Sequence, residues 1–482
     1  MEASTSGVGT ELAHNSIGFW RSLAQPVAVQ APVGAAAILT ATMASITGGA
    51  GPLSFLLGIV CGVFLALIFA ELARCFASAG AVYAYAGLMA GVSFAFVIGW
   101  SYVLMLMAFW AGTLSATADF FNSTLSTASA GVHVPWVLIS IVTWAVVAYL
   151  VSRKIGISTA ILFVLEVAGA ALIIFVGIVV FAKGGYGGNH FGFSQYFSFK
   201  GISVGSVFLG VVIAFLSFGG FEGAAVFGEE THRPRLYLPR TMLVSLLFAG
   251  IICTYASWFE NVGFKNSALL AASPSPLVQV TQIYVDKPIA VILGLAAVVS
   301  AFSSTVGSAN AATRYLYALG RDGFLSRRLA GTDHTERSPI AALAVLAIPA
   351  LILSIAFAGT SSANAFNYVA GTAGFLYTFI YLCISTVCIW YFYRERRYGY
   401  SLLAVISGAA TGYALWDSLV PAPAYPFSIL PYIAGGVVLL GVLIIASSKS
   451  LRNKLRNGPT FRIAAGQGAE AVPPAADPGQ AD

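Results

Sequence analysis

What this chain has least of is charge. Asp, Glu, Lys and Arg make up 9% of its 482 residues, against about 25% in a soluble protein, so a soluble globular fold is excluded. Cysteine is scarce as well. Cys61, Cys253, Cys383 and Cys388 lie inside apolar runs, Cys75 sits just past the end of one, and no CxxC pair occurs. Neither a disulfide framework nor a zinc site is supported, and no cofactor is expected. All five histidines fall in polar connecting stretches, whereas a polytopic membrane enzyme would need clustered His, Asp or Cys at membrane depth. There is no Walker motif, which excludes direct ATP drive by this chain. No repeated polar rings suggest a channel, and residues 229–238 are too few for the long central loop of the sugar-type twelve-helix carriers. Residues 1–25 are too polar for a signal peptide, so the first apolar segment is expected to insert as a permanent helix.

What is present is apolar sequence: 58% hydrophobic residues and a mean hydropathy of +0.86. Twelve spans are expected, at about 27–47, 52–73, 91–117, 134–151, 156–181, 204–228, 239–260, 288–313, 339–357, 365–391, 400–420 and 428–447. Most reach the roughly 20 residues that cross about 30 Å of hydrocarbon. "FASAGAVYAYAGLMAG" (76–91) reads as a short membrane-level helix. The net charge of +6 does not point to nucleic acid, because the basic residues sit between spans. With these spans, 20 of the 24 fall on one side and only Lys183, Lys200, Lys265 and Lys287 on the other. The positive-inside rule then puts both termini in the cytoplasm and the chain in the cytoplasmic membrane. Residues 1–26 form a cytoplasmic N-terminal segment, 27–447 one helical domain, and 448–482 a cytoplasmic tail. The tail begins with the basic "KSLRNKLRN" and ends in Ala/Pro/Gly-rich sequence that reads as disordered. Membrane lipid is thus a partner; the oligomeric state stays open.

The spacing hints at duplication. The second and seventh spans, and the third and eighth, are separated by about 190–200 residues. Five helices per unit inverts one copy relative to the other, as in many secondary transporters. The copies would be 27–182 and 204–391, with 400–447 as two added helices. In such folds a matched pair of interrupted helices marks the binding site. The first span has Pro32 and Gly34 inside "VAVQAPVGAAAIL"; the sixth has Gly219, Gly220 and Gly223 inside "IAFLSFGGFEGAA". A mid-helix proline costs about 3 kcal/mol or more. Glycine costs about 1 kcal/mol relative to alanine, although in membrane helices it also serves close packing. A broken helix offers free N–H groups at one half and free carbonyls at the other. Together they complement a zwitterion, that is, an amino acid.

Three stretches resemble the amino acid–polyamine–organocation family of bacterial permeases, which has the LeuT-type fold. "FSFGGFEGAAVFGEETHRPRLYLPR" is similar to its sixth-helix signature, "FAELARCFASAGAVYAYAG" (69–87) to its second-helix and re-entrant motif, and "NAATRYLYALGRDGFLSRRLA" (310–330) to its eighth-helix exit loop. The resemblance, covering about 27–447, implies an all-α membrane fold of twelve helices, with a 5+5 inverted repeat and two extra C-terminal helices. It implies that the substrate carboxylate sits at Ala31, Pro32, Val33, Gly34 and Ala35. The amine would sit on carbonyls at Phe218, Gly219, Gly220 and Phe221. Pro32 departs from the family's small, Gly-rich break and removes one N–H, but proline is tolerated at the first position of a half-helix. Val33, Gly34 and Ala35 are left to present N–H groups. Arginine–agmatine exchangers of the family have an aromatic residue where this chain has Leu216, so a guanidinium would lose a cation–π partner. A neutral amino acid is the expected substrate.

The remaining signals are buried acids. Glu71 lies three residues before Arg74 and reads as a local ion pair; Asp417 reads as structural. Glu229 and Glu230 stand beside Arg233, Arg235 and Arg240, as an inner gate or as plain topology. Glu222 follows the sixth-span break, where irregular backbone lines a cavity. In the family this position belongs to the path between site and cytoplasm; the alternative is a packed, neutral acid. Glu166 lies ten residues into its span, about 15 Å along the helix, where some relatives carry a lysine in place of the sodium ion of LeuT-like carriers. It reads equally as a proton-binding group or as an acid bonded across helices. Ser303 and Ser304 resemble hydroxyls that line the sodium site of sodium-coupled relatives, so proton coupling is expected and sodium stays open. The expected function is secondary transport of amino acids by alternating access, as symport or exchange. A polyamine or other amine carrier on the same fold is the alternative.

Overall fold

The computed structural model describes residues 17–75, 81–129, 132–153, 155–188, 191–199, 202–228, 230–331, 338–417, 419–420 and 425–447. The N-terminal residues, the tail from 448, Glu229 and the side chain of Leu216 lie outside it. In chain order the helices are α1 (Phe19–Gln30), α2 (Pro32–Thr47), α3 (Gly51–Cys75), α4 (Ala81–Ala90), α5 (Val92–Ala128), α6 (Trp136–Ser152), α7 (Ile155–Ala182), α8 (Phe193–Tyr196), α9 (Val204–Phe218), α10 (Pro234–Gly263), α11 (Ser267–Ala272), α12 (Pro276–Tyr284), α13 (Lys287–Arg321), α14 (Ile340–Ile355), α15 (Ser362–Arg394), α16 (Tyr398–Asp417) and α17 (Leu430–Ser447). No strand occurs among the described residues. Seven stretches are long and apolar enough to cross a membrane: Phe19–Cys75, Val92–Ala128, Ala160–Ala182, Pro234–Gly263, Lys287–Arg321, Ser362–Arg394 and Phe427–Ser447.

Each expected span contains helix, and the differences have physical reasons. The third runs on from Ala118 to Ala128 through "DFFNSTLSTA", and the eighth on to Arg321. These polar turns end the apolar run without ending the helix, because hydropathy reports the hydrocarbon slab and not the backbone. The polar link between α10 and α13 holds two helices with no counterpart in the span count, α11 and α12. Helix starts are chemically marked: Ser203, Asn266, Asp286 and Ser361 each accept the N–H of the third residue on, the usual N-cap arrangement.

α5 and α13 run along each other, α3 packs on α10, and α15 lies between α5 and α16. Their shared core holds Trp110, Tyr83, Tyr102, Tyr315 and Phe221 fully buried. α6, α14, α16 and α17 instead expose rows of Leu, Ile and Val, the surface expected against lipid. Close approach needs small residues where packing rather than water expulsion drives association. At Gly307 of α13 a Cβ would stand 2.9 Å from the Val29 backbone nitrogen, so α13 lies directly on α1.

Candidate functional site

The first break is one residue earlier than its proline. Ala31 has φ 45° and ψ 62°, left-handed, and Pro32 opens α2. A proline disfavours right-handed helix at the preceding residue, and that residue takes the distortion. The second break is at Gly220, φ +99°, after which the chain continues as a 3₁₀ turn over Phe221–Phe227. A Cβ there would meet Val29 at 2.4 Å, so glycine is required both by conformation and by space.

The two breaks are joined. The Gln30 side-chain amide donates to the Phe218 carbonyl at 2.9 Å, so the carbonyl expected to receive a substrate amine has an internal partner here. The Ser304 hydroxyl donates to the Val29 carbonyl at 2.8 Å. The neighbouring Ser303 hydroxyl is buried and makes no hydrogen bond. The three expected N–H donors also differ in what they face. Ala35 donates to the Ala31 carbonyl at 2.8 Å, inside the helix. Gly34 donates to the Ser300 hydroxyl of α13 at 2.8 Å. Val33 faces Glu166 of α7, which also faces Ser300. Glu166 is 2% exposed, and neither carboxyl oxygen forms a hydrogen bond.

Glu222 is fully buried and is held from two helices. The Tyr102 phenol of α5 donates to one oxygen and the Tyr381 phenol of α15 to the other, each at 2.7 Å. Phe221 packs on Phe69 and on the Tyr381 ring, with centroids at 5.6 and 5.8 Å. At the end of the bundle where Ile17 lies is a second polar chain. Gln25 donates to the Gly307 carbonyl, Asn310 to Gln25, and Arg314 to Asn310 and to Glu230. Glu230 thus pairs with Arg314 of α13. Ile17 pairs by backbone with the same segment, donating to the Glu230 carbonyl and accepting from His232. Glu71 pairs with Arg397 at 2.8 Å as well as with Arg74 at 3.6 Å.

A cavity of about 410 Å³ begins at the first break and follows α2 to Ile46. Of the expected site residues its wall holds Ala31, Gly34, Ala35 and Ser304; Phe218, Gly219, Gly220, Phe221 and Glu222 lie off it, behind Gln30. The rest of the wall includes Ile38, Leu39 and five phenylalanines, Phe109, Phe120, Phe366, Phe375 and Phe427, with Gln30, Thr42, Thr113, Asn367 and Thr378 as polar points. No acidic or basic side chain is among the lining residues.

Sequence reasoning did not find Gln30, Ser300, Tyr102 or Tyr381, whose contacts span 120 residues or more. It also missed Glu260, fully buried on α10 beside Thr40 with no hydrogen bond to either oxygen. Glu260 is the last residue of the expected seventh span, and nothing around it in the sequence marks it as buried.

The chain matches known permeases along most of its length. It is 26% identical over 329 residues to the branched-chain amino acid permease BcaP of Lactococcus lactis subsp. cremoris, covering 64% of this chain and 69% of that protein. To the low-affinity putrescine importer PlaP of Escherichia coli K12 it is 24% identical over 396 residues, 78% of this chain and 82% of that one. The BcaP of Bacillus subtilis is 25% identical over 326 residues, 63% and 67%. The amino acid permease family profile matches residues 17–453, which contain both helix breaks and the cavity between α2 and α15, and the chain belongs to that family of membrane transporters.

Proposed function

We propose that this permease is a secondary carrier of neutral amino acids with apolar side chains, working by alternating access in the cytoplasmic membrane. The observation that carries the reading is the cavity: it meets the helix break at Ala31, is mostly aliphatic and aromatic, and has no charged lining side chain. A diamine would bury two ammonium groups there without a carboxylate, and unpaired buried charge is heavily disfavoured. A branched or aromatic side chain suits Ile38, Leu39 and the five phenylalanines. The name of one set of relatives, branched-chain amino acid permease, agrees with this; that of the putrescine importer does not.

The reading includes twelve crossings in a five-plus-five inverted arrangement, residues 27–182 and 204–391, with α16 and α17 added. The seven long apolar stretches support it, with α6, α14, α16 and the α9 segment with its 3₁₀ continuation as the shorter crossings. Both termini are placed in the cytoplasm by the distribution of Lys and Arg. Single cysteines introduced at Ser194 and Ser326 then label from opposite sides of intact cells, and labelling of both from outside overturns the arrangement.

Coupling is to protons, through Glu166 or Glu222, the buried acids nearest the two breaks. The test is uptake by purified protein in liposomes, with labelled leucine, phenylalanine and putrescine, with and without an inward proton gradient. Gradient-driven accumulation of leucine is expected. Accumulation of putrescine instead sinks the substrate assignment. Uptake driven only by sodium shifts coupling to Ser303 and Ser304, of which Ser303 has a buried hydroxyl without a hydrogen bond and Ser304 is bonded to the Val29 carbonyl next to the break.

A further inference from the structure

We propose that Glu166 and the carboxylate of the substrate are alternative occupants of one helix end, the N-terminus of α2, so that loading an amino acid requires Glu166 to take up a proton. The inference rests on the reading of the chain as an amino acid carrier and supplies the coupling step.

Pro32 has no N–H, and the N–H of Ala35 is satisfied within the helix, so α2 has two N–H groups to offer at its start, those of Val33 and Gly34. An anion there is favoured by both the free donors and the helix dipole. One face of this helix end is cavity wall, at Ala31, Gly34 and Ala35. The other is closed by Ser300, which accepts from Gly34, and by the carboxyl group of Glu166, which faces Val33 and Ser300. Glu166 is buried, and neither of its oxygens has a formed bond. An unpartnered acid is thus aimed at the donors that a substrate carboxylate would use.

Among the described residues, no cationic side chain faces Glu166 to let both acids ionise together. From α2 Glu166 meets the Val33 N–H, and from α13 the Ser300 hydroxyl. α10 contributes three titratable side chains on its inner turns. Cys253 lies against the Pro32 carbonyl, Tyr255 donates to the Ile174 carbonyl, and Glu260 is beside Thr40, two helical turns farther along α2. α12 contributes Tyr284, bonded to the Gly263 carbonyl. α1 bears Arg21, ten residues before Ala31, α13 bears Lys287 and Arg314, thirteen and fourteen residues from Ser300, and Tyr149 of α6 is exposed. Two carboxylates at one site with a single positive helix end behave as like charges sharing a site, and one of them must be protonated.

The cycle follows. In the empty carrier Glu166 ionises as the Val33 N–H and the Ser300 hydroxyl, which face it, close onto its oxygens. The zwitterion enters from outside, its carboxylate takes these donors, and Glu166 binds a proton from the outer solution. When the substrate leaves to the cytoplasm the donors return to Glu166, which releases the proton there. One proton and one net positive charge cross per amino acid. Ser300 is a positioning residue, linking the Gly34 donor to Glu166.

The test is calorimetry of leucine binding to the purified full-length protein, in two buffers of different ionisation heat. Wild type is expected to take up one proton per leucine, and its affinity to fall about tenfold per pH unit once Glu166 is ionised in the empty state. Glu166→Gln is expected to bind leucine with no proton uptake and no such slope, while Glu166→Asp keeps the uptake. A measurement on wild type alone guards against a variant that fails to fold. 3-Methylbutylamine, the decarboxylated analogue of leucine, brings no negative charge, and its heat of binding should be the same in both buffers. Leucine binding without proton uptake, uptake that persists in Glu166→Gln, or equal uptake with the amine each overturns the competition and leaves the substrate assignment standing. If wild type binds no amino acid, the carrier reading and the competition fall together.

Discussion

Glu222 and Glu166 are the same side chain at almost the same burial, 0% and 2% exposed, and the protein surrounds them differently. Glu222 takes one phenolic hydrogen bond on each oxygen, from α5 and from α15, and sits where the chain has left regular helix. Glu166 is in the middle of an unbroken helix, and no bond to it is formed. Burial alone therefore says little about what an acid does. A satisfied carboxylate ties three segments of the fold together. An unsatisfied one stands beside donors that a ligand also wants, and its protonation is free to follow the ligand.

The contrast can be broken by substitution, and the largest effect is expected on the Glu222 side. Gly220→Leu forces a side chain into left-handed backbone and onto Val29, so leucine uptake into liposomes is expected to fall to background, with loss of folded protein on size-exclusion chromatography. Uptake at the wild-type level would mean that the second break does not need glycine. Next is Glu222→Ala, which orphans the Tyr102 and Tyr381 hydroxyls. At roughly 1–3 kcal/mol for each buried group left unpaired, the thermal midpoint of the detergent-solubilised protein should drop by several degrees. Tyr381→Phe removes one donor and keeps the other, and a smaller drop, about half as large, is expected in the same scan. The smallest effect on stability is expected for Glu166→Gln, since no formed bond is lost: a midpoint within a degree or two of wild type, with proton-driven accumulation gone and leucine–leucine exchange retained. Should Glu166→Gln destabilise as much as Glu222→Ala, the distinction between the two acids is wrong.

Much of the helical layout was legible because hydrocarbon imposes a length and a composition on whatever crosses it. Both breaks were legible for a different reason: Pro32 and Gly220 act on backbone angles within one residue of themselves, so their effect is local. The difference at the first break was also local, since proline displaces the distortion onto Ala31. What sequence could not give was who faces whom. Nothing near Gly34 announces Ser300, 266 residues on, as the acceptor of its N–H. Nothing near Glu222 announces two tyrosines on separate helices. Glu230 shows the same limit. Three arginines lie within ten residues of it, and its partner is Arg314, 84 residues away, because α13 passes that point and sequence proximity does not decide packing.

The backbone pairing of Ile17 gives Glu230 a mechanical meaning. Its carbonyl holds the chain just ahead of α1, while its side chain holds Arg314 of α13, so one residue is riveted to two different bodies. Any widening between α1 and α13 at this end must shear one rivet or the other. Breaking the ion pair leaves Ile17 and residues 230–232 to swing as a single arm. Breaking the backbone pair frees Ile17 and leaves residue 230 behind on α13. The joint to Ile17 is made by main chain alone, so its strength does not depend on the side chain at either position. The joint to Arg314 depends entirely on two charges. One end of the arm is therefore fixed by geometry and the other by electrostatics, and because both charged partners of the second are buried, salt screens it little.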